Sequence, residues 1–147
     1  MSDKFIRIKY VSNVYKKDPI RLIPNGDWID LRAAQTIELS GGEYCEIPLG
    51  ICVQLPHGFE AIIAPRSSLY KNYSLIVPNS IGIIDESYCG NNDEWHLPVV
   101  CLGAHTVINK GDRICQFRIL RHQPAKKIVT VDKLESSDRG GLGSTGR

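Results

Sequence analysis

Apolar residues along this chain alternate with polar ones instead of recurring every third or fourth position. A period of two is that of a pleated strand with one face buried. Phe5-Ile6-Arg7-Ile8-Lys9-Tyr10 is one such run, and Thr36–Leu39, Tyr44–Ile47, Ile51–Leu55 and Phe59–Ala64 follow it. Further runs are Ile81–Ile84, His96–Cys101, Thr106–Ile108 and Arg113–Leu120. Turn-forming residues part them: Pro24-Asn25-Gly26-Asp27, Ser40-Gly41-Gly42, Pro48-Leu49-Gly50, Pro56-His57-Gly58, Gly90-Asn91-Asn92-Asp93 and Asn109-Lys110-Gly111-Asp112. Short strands at this spacing predict an all-β domain, a barrel or a double-sheet jelly roll. One stretch departs from the alternation. Ser67-Ser68-Leu69-Tyr70-Lys71-Asn72, after Pro65-Arg66, predicts one or two helical turns with a serine placed to cap them.

Composition narrows the function classes. The 147 residues suit one domain, and 42% apolar content is enough for a core. A formal net charge of +2, with the charges scattered, lacks the clustered basic face of a nucleic-acid binder. The amino terminus has no apolar signal segment and no run approaches a membrane span, so a cytoplasmic protein without membrane or nucleic-acid partner is expected. Cys45, Cys52, Cys89, Cys101 and Cys115 are odd in number and lack C-x-x-C spacing, which argues against disulfides and zinc. All but Cys89 sit in alternating apolar stretches and read as small core residues of a reduced protein. The end of the chain differs in kind. Four glycines lie between Gly140 and Arg147, a composition that fits both a frayed terminus and a flap whose amides close on an anion.

Candidate chemistry lies in five stretches: Asp27–Ala34, Ala64–Leu69, Asn79–Gly90, Lys110–Gln116 and Asp138–Gly146. A nucleoside triphosphate carries about four negative charges, so its site needs cations and many N–H or O–H donors. Arg66 followed by two hydroxyls at a helix start offers both, although Ser67 and Ser68 also suit plain capping. The third stretch predicts a β-hairpin, and Asp85 within it suits either a base or a turn aspartate.

In order, content and spacing the five stretches resemble the motifs of the trimeric dUTPase family, from about residue 27 to the C-terminus. The resemblance implies an all-β, distorted jelly-roll β-barrel with one short helix over residues 1–135, and a glycine-rich tail, 136–147, closing over the active site. It implies hydrolysis of dUTP to dUMP and pyrophosphate. Asp85 would orient and deprotonate the water that attacks the α-phosphorus, with Gln116 near the phosphates and that water. Arg66, Ser67 and Ser68 would meet the triphosphate. Asn79 and the backbone of Gly82, Ile83 and Ile84 would read uracil, and Tyr88 would pack under the deoxyribose and leave no space for a 2′-hydroxyl. Arg139 would reach the γ-phosphate, with Gly143, Ser144 and Thr145 closing over it. Mg²⁺ would be held by triphosphate oxygens and water, with Asp30 at most an indirect contributor and no protein cage. A homotrimer with active sites between subunits follows from the same resemblance.

The sequence departs from the family pattern in places. The tail is short, and Leu142 stands where an aromatic usually stacks on uracil. Leu142 can cover the ring but stacks less well. Trp95 is a candidate for the missing ring, and equally for a core or subunit-contact aromatic. Ser87 and Cys89 stand where the family usually has Asp and Arg, and Ser68 where many members have glycine. A dCTP deaminase shares the fold, but His96-Leu97-Pro98-Val99-Val100 holds no acidic residue to relay protons. A nucleotide sensor is the non-enzyme alternative, against which the joint presence of Asp85, Tyr88, Gln116 and Arg139 argues.

Overall fold

The alternating runs fold into strands that pair antiparallel throughout. This computed structural model describes residues 4–143 and 146. Among the described residues the strands are β1 (Arg7–Tyr10), β2 (Ile29–Arg32), β3 (Ile37–Ser40), β4 (Tyr44–Gln54), β5 (Phe59–Pro65), β6 (Leu75–Ile76), β7 (Gly82–Ile84), β8 (Glu94–Cys101), β9 (His105–Ile108) and β10 (Arg113–Arg121). A 3-10 turn at Asn13–Tyr15 and one helix, α1 (Leu69–Tyr73), complete the set. One four-stranded sheet has the order β1-β4-β8-β6, a second β2-β10-β5-β7, and β3 pairs with β9 in a two-stranded ribbon. This is the expected all-β jelly roll with a short helix.

Inward residues of both large sheets share one core. Leu31, Ile63, Ile114 and Phe117 come from the second sheet, and Ile47, Leu49, Ile51, Trp95, Leu97 and Val99 from the first. The Trp95 and Phe117 rings meet edge to face at 5.3 Å, which ties β8 to β10 across the core. Cys52, Cys101 and Cys115 are buried, Cys45 is half-buried and Cys89 is exposed.

Three local expectations change. The Pro48-Leu49-Gly50 punctuation does not end a strand; β4 runs through it, and its register against β8 slips between Pro48 and Cys52. Gly50 permits this bulge. It sits at φ +74°, a Cβ there would lie 2.8 Å from that of Ser12, and its N–H donates to Glu94 Oε2 at 3.0 Å. The segment Asn79–Gly90 is not a hairpin. β7 pairs with β5, while β8 joins β4 in the other sheet, so residues 85–93 form a loop that crosses between sheets. The alternation explains why. Trp95, Leu97 and Val99 bury on one face of β8, which commits that strand to the long β4. Finally, Ser68 occupies the position before α1, but its side chain makes no cap hydrogen bond.

Candidate active site

Strand register builds the first group of functional side chains. Gln116 on β10 pairs with Asp30 on β2 and with Ala64 on β5, so all three share one rung. Arg66, just past β5, reaches Asp30 with Nε at 3.2 Å from Oδ1, and Arg113 Nη1 lies 3.5 Å from Oδ2. Asp30 thus holds two guanidinium groups, and its oxygens are engaged by protein cations. Gln116 Nε2 donates to the Pro65 carbonyl at 3.2 Å, which fixes the amide beside the Arg66 backbone. Ser67 is exposed and Ser68 half-buried immediately after Arg66. Arginines and hydroxyls held this way form a donor surface suited to phosphate oxygens. Asp112 is structural instead. It accepts from the Tyr73 hydroxyl at 2.9 Å and from the Asn109 N–H at 2.9 Å, closing the turn before β10.

The crossing loop builds the second group. A cleft of about 620 Å³ is lined by Asn79, Ile81, the β7 strand, Asp85 and Tyr88, and by Glu94, Trp95 and His96 of β8. Asp85 is exposed at its edge. Its Oδ2 accepts from the Ser87 N–H at 2.8 Å and from the Ser87 hydroxyl. That hydroxyl first, then the N–H, holds the Asp85 carboxyl below the usual aspartate range, with a small further contribution from His122. The carboxylate is therefore ionised across the neutral range. The loop is braced around it. The Tyr88 N–H donates to the Asp85 carbonyl at 3.0 Å, and the Tyr88 hydroxyl donates to the Glu94 carbonyl at 3.0 Å. Glu86 anchors the loop to its surroundings through His57 Nδ1 at 2.8 Å, the Gly58 N–H at 3.3 Å and His122 Nε2 at 3.5 Å.

These groups are separate within one chain. Asp85 follows Ile84, which pairs with Ala61, whereas Gln116 pairs with Ala64. Three rungs along β5 are about 10 Å, and β7 and β10 lie on opposite sides of that strand. Arg66, Ser67, Ser68 and Gln116 do not line the cleft. Nor do the described tail residues Arg139, Leu142 and Gly143; Leu142 is fully exposed and Arg139 Nε donates to the neighbouring Gly140 carbonyl. Ser144 and Thr145 lie outside the described residues.

Of the two readings that the sequence leaves open for Trp95, burial favours the core aromatic, although the residue also borders the cleft. Its side chain is 0% exposed and packs on Phe117, so uncovering it would empty the core. The residue that sequence reasoning missed is its neighbour. Alternation on β8 turns His96 outward into the cleft, with Nδ1 2.8 Å from the Glu94 carbonyl oxygen. The signal was present: once Leu97 and Val99 are taken as inward, Trp95 must point inward and His96 outward. Glu46 from β4 was also missed as a lining residue.

The match to known proteins is decisive for the family. The dUTPase family model matches residues 28–146. The chain belongs to the dUTPase family. It is an enzyme, a dUTP diphosphatase. It is 50% identical over 141 residues to the SPbeta prophage-derived deoxyuridine 5'-triphosphate nucleotidohydrolase YosS of Bacillus subtilis (strain 168), covering 96% of this chain and 97% of that one. It is 37% identical to the deoxyuridine 5'-triphosphate nucleotidohydrolase of Gloeobacter violaceus, covering 84% of each. Among solved structures, the dUTPase of Staphylococcus bacteriophage 80alpha with dUPNHPP superposes with a TM-score of 0.79 at 20% identity, over 97% of this chain and 99% of that one. A mutant dUTPase of phage phi11 of S. aureus, described with a structural Mg(II) ion, gives 0.76 at 18% identity, over 90% of this chain and all of the other.

Proposed function

We propose that the enzyme cleaves dUTP to dUMP and pyrophosphate by attack of an Asp85-activated water on the α-phosphorus. The observation that carries this is Asp85 itself, an exposed, ionised carboxylate at the edge of a cleft walled by Asn79, β7 and Tyr88. Uracil would enter with its polar edge on Asn79 and the β7 backbone, where a mismatched base leaves buried groups unpaired at about 1–3 kcal/mol each. Tyr88, braced through its hydroxyl, would meet the sugar. Arg66, Ser67 and Ser68 would receive the triphosphate, and Gln116 would orient the water or a phosphate oxygen. A carboxylate of low basicity suffices where position and charge neutralisation lower the barrier.

Mg²⁺ would come with the nucleotide and supply charge neutralisation at the phosphates. The chain's donors fit that arrangement. Asp30 already spans Arg66 and Arg113, and no described group of three or more His, Cys, Asp or Glu could hold a metal ion.

The separation of the two groups within one chain supports a homotrimer in which each site takes the Asp85 loop from one copy and the Arg66 group from another. The segment after β10 supports the same reading. Residues 122–143 carry neither helix nor strand, and Ile128, Val129, Val131 and Leu134 stand exposed, with Ile128 at 95%. Apolar residues spaced along such an arm suit burial against a neighbouring copy. The tail, 136–147, would then bring Arg139 to the γ-phosphate and close the site. The setting is the cytoplasm.

The test is pyrophosphate release from dUTP with Mg²⁺. Asp85→Asn is expected to lower kcat by about 10³-fold, within the usual range for loss of a general base. An unchanged rate in that variant, or a wild-type protein that leaves dUTP intact, would refute the proposal.

A further inference from the structure

Ser87 has no part in the reaction as described so far. It is exposed and sits in the crossing loop two residues after Asp85. Its hydroxyl and its N–H nevertheless converge on the same oxygen of Asp85. A carboxylate has two oxygens and a soft terminal torsion. One oxygen held by two donors from a single residue fixes that torsion and leaves Oδ1 for other partners. No hydrogen bond to Oδ1 is present among the described residues.

We infer that Ser87 is a positioning residue for catalysis: it clamps Oδ2 of Asp85 so that Oδ1 alone receives the attacking water's proton. The inference deepens the reading of Asp85 as the base and rests on it. Charge explains why serine suits the position. An aspartate at 87 would set a second carboxylate against the first and favour protonation of one of them. A hydroxyl donates without adding charge. The lowered basicity of Asp85 agrees with two donors on its ionised form.

Other charged groups near Asp85 do not replace this contact. His122, beyond β10, exerts only a small through-space influence on it. Glu86 is occupied by His57, His122 and Gly58, and it anchors the loop rather than the carboxylate. Glu94, Glu46 and His96 line the cleft from the first sheet.

The test joins a direct titration to kinetics. Asp85 is followed by carboxyl-carbon NMR against pH in the wild type, Ser87→Ala and Ser87→Thr, and dUTP hydrolysis is measured in parallel. Ser87→Ala is expected to raise the Asp85 titration midpoint and lower kcat by about tenfold, with KM for dUTP nearly constant. Ser87→Thr, which keeps the hydroxyl, is expected to restore both. A midpoint that does not move in Ser87→Ala overturns the clamp, as does a Thr variant that behaves like Ala. An active Asp85→Asn variant would instead refute Asp85 as the base, and with it the catalytic role given to Ser87. The titration would still report whether the contact exists.

Discussion

The two halves of the site are built by different means. Asp30, Gln116 and Arg66 are placed by ladder register, on or beside paired strands of one sheet. Asp85, Ser87 and Tyr88 are placed by side-chain and turn hydrogen bonds in a loop that crosses from one sheet to the other. The first half is as rigid as the sheet, since moving one residue there means slipping a strand. The second depends on a few exposed contacts, the kind that local opening breaks most readily. The Asp30–Gln116–Arg66 group is thus fixed, while the Asp85 carboxylate is adjustable by single residues. The halves also lie apart in one chain, which leads to the largest expected effect. Asp85→Asn and Arg66→Ala are each expected to be nearly inactive alone, by about 10²-fold or more. When the two are co-refolded, sites that draw one half from each chain recover. Random mixing leaves about a quarter of sites intact in a symmetric oligomer. Activity that stays at the level of the separate variants would mean that each chain supplies both halves, and the comparison would fail.

A smaller effect separates scaffold from cleft on a single strand. Trp95 and His96 are adjacent on β8 and face opposite ways. Trp95→Ala is expected to lower folding stability by about 3–5 kcal/mol, because it removes a fully buried ring that bridges the sheets. Its effect on KM in the folded protein should be slight. His96→Ala should do the reverse: stability within about 0.5 kcal/mol of wild type, and dUTP affinity weakened by roughly three- to tenfold if the imidazole covers the base. Denaturant melts and KM values decide it. A stable Trp95→Ala protein with much weaker dUTP binding would favour the stacking role of Trp95 over the core role.

The contrast also explains what could be read in advance. Strand alternation was legible in most strands, because a buried face imposes its period on the sequence, but β2 was not read as a strand although it alternates. Alternation was illegible where an element is too short to show a period, as in β6, and where Gly50 marks a bulge inside β4 instead of a turn. In the site, Arg66, Asp85, Tyr88 and Gln116 stood out through residue type and spacing. The Asp30 bridge to Arg66 and Arg113 did not, because it depends on which strands neighbour β10. Trp95 was left between two readings for a related reason. Its chemistry suggested a stacking ring, whereas the phase of its own strand sent it into the core.

The smallest expected effect concerns the anchor of the loop half alone. His57, with help from the Gly58 N–H, holds the Glu86 carboxyl below the usual glutamate range. A carboxylate depressed on folding contributes stability above its unfolded pKa of about 4.3 and loses that contribution as pH falls through its folded value. Lowering pH from about 5 toward 3 should therefore weaken this anchor in the wild type. In Glu86→Gln the anchor lacks a titrating carboxylate, so the fall in Tm over the same interval should be shallower. The difference should be no more than a few degrees, since solvent-screened ion pairs contribute little. Thermal melts at stepped pH measure it, and parallel curves for the two proteins would show that Glu86 does not hold the loop through its charge. Because the polar contacts of Glu86 are with the turn before β5 and with His122 just past β10, away from Asp30 and Arg66, the variant should leave the Asp30–Arg66 half unchanged. A loss of triphosphate affinity in Glu86→Gln would mean that the loop and the strand ladder move together, and that the two halves are one mechanical unit.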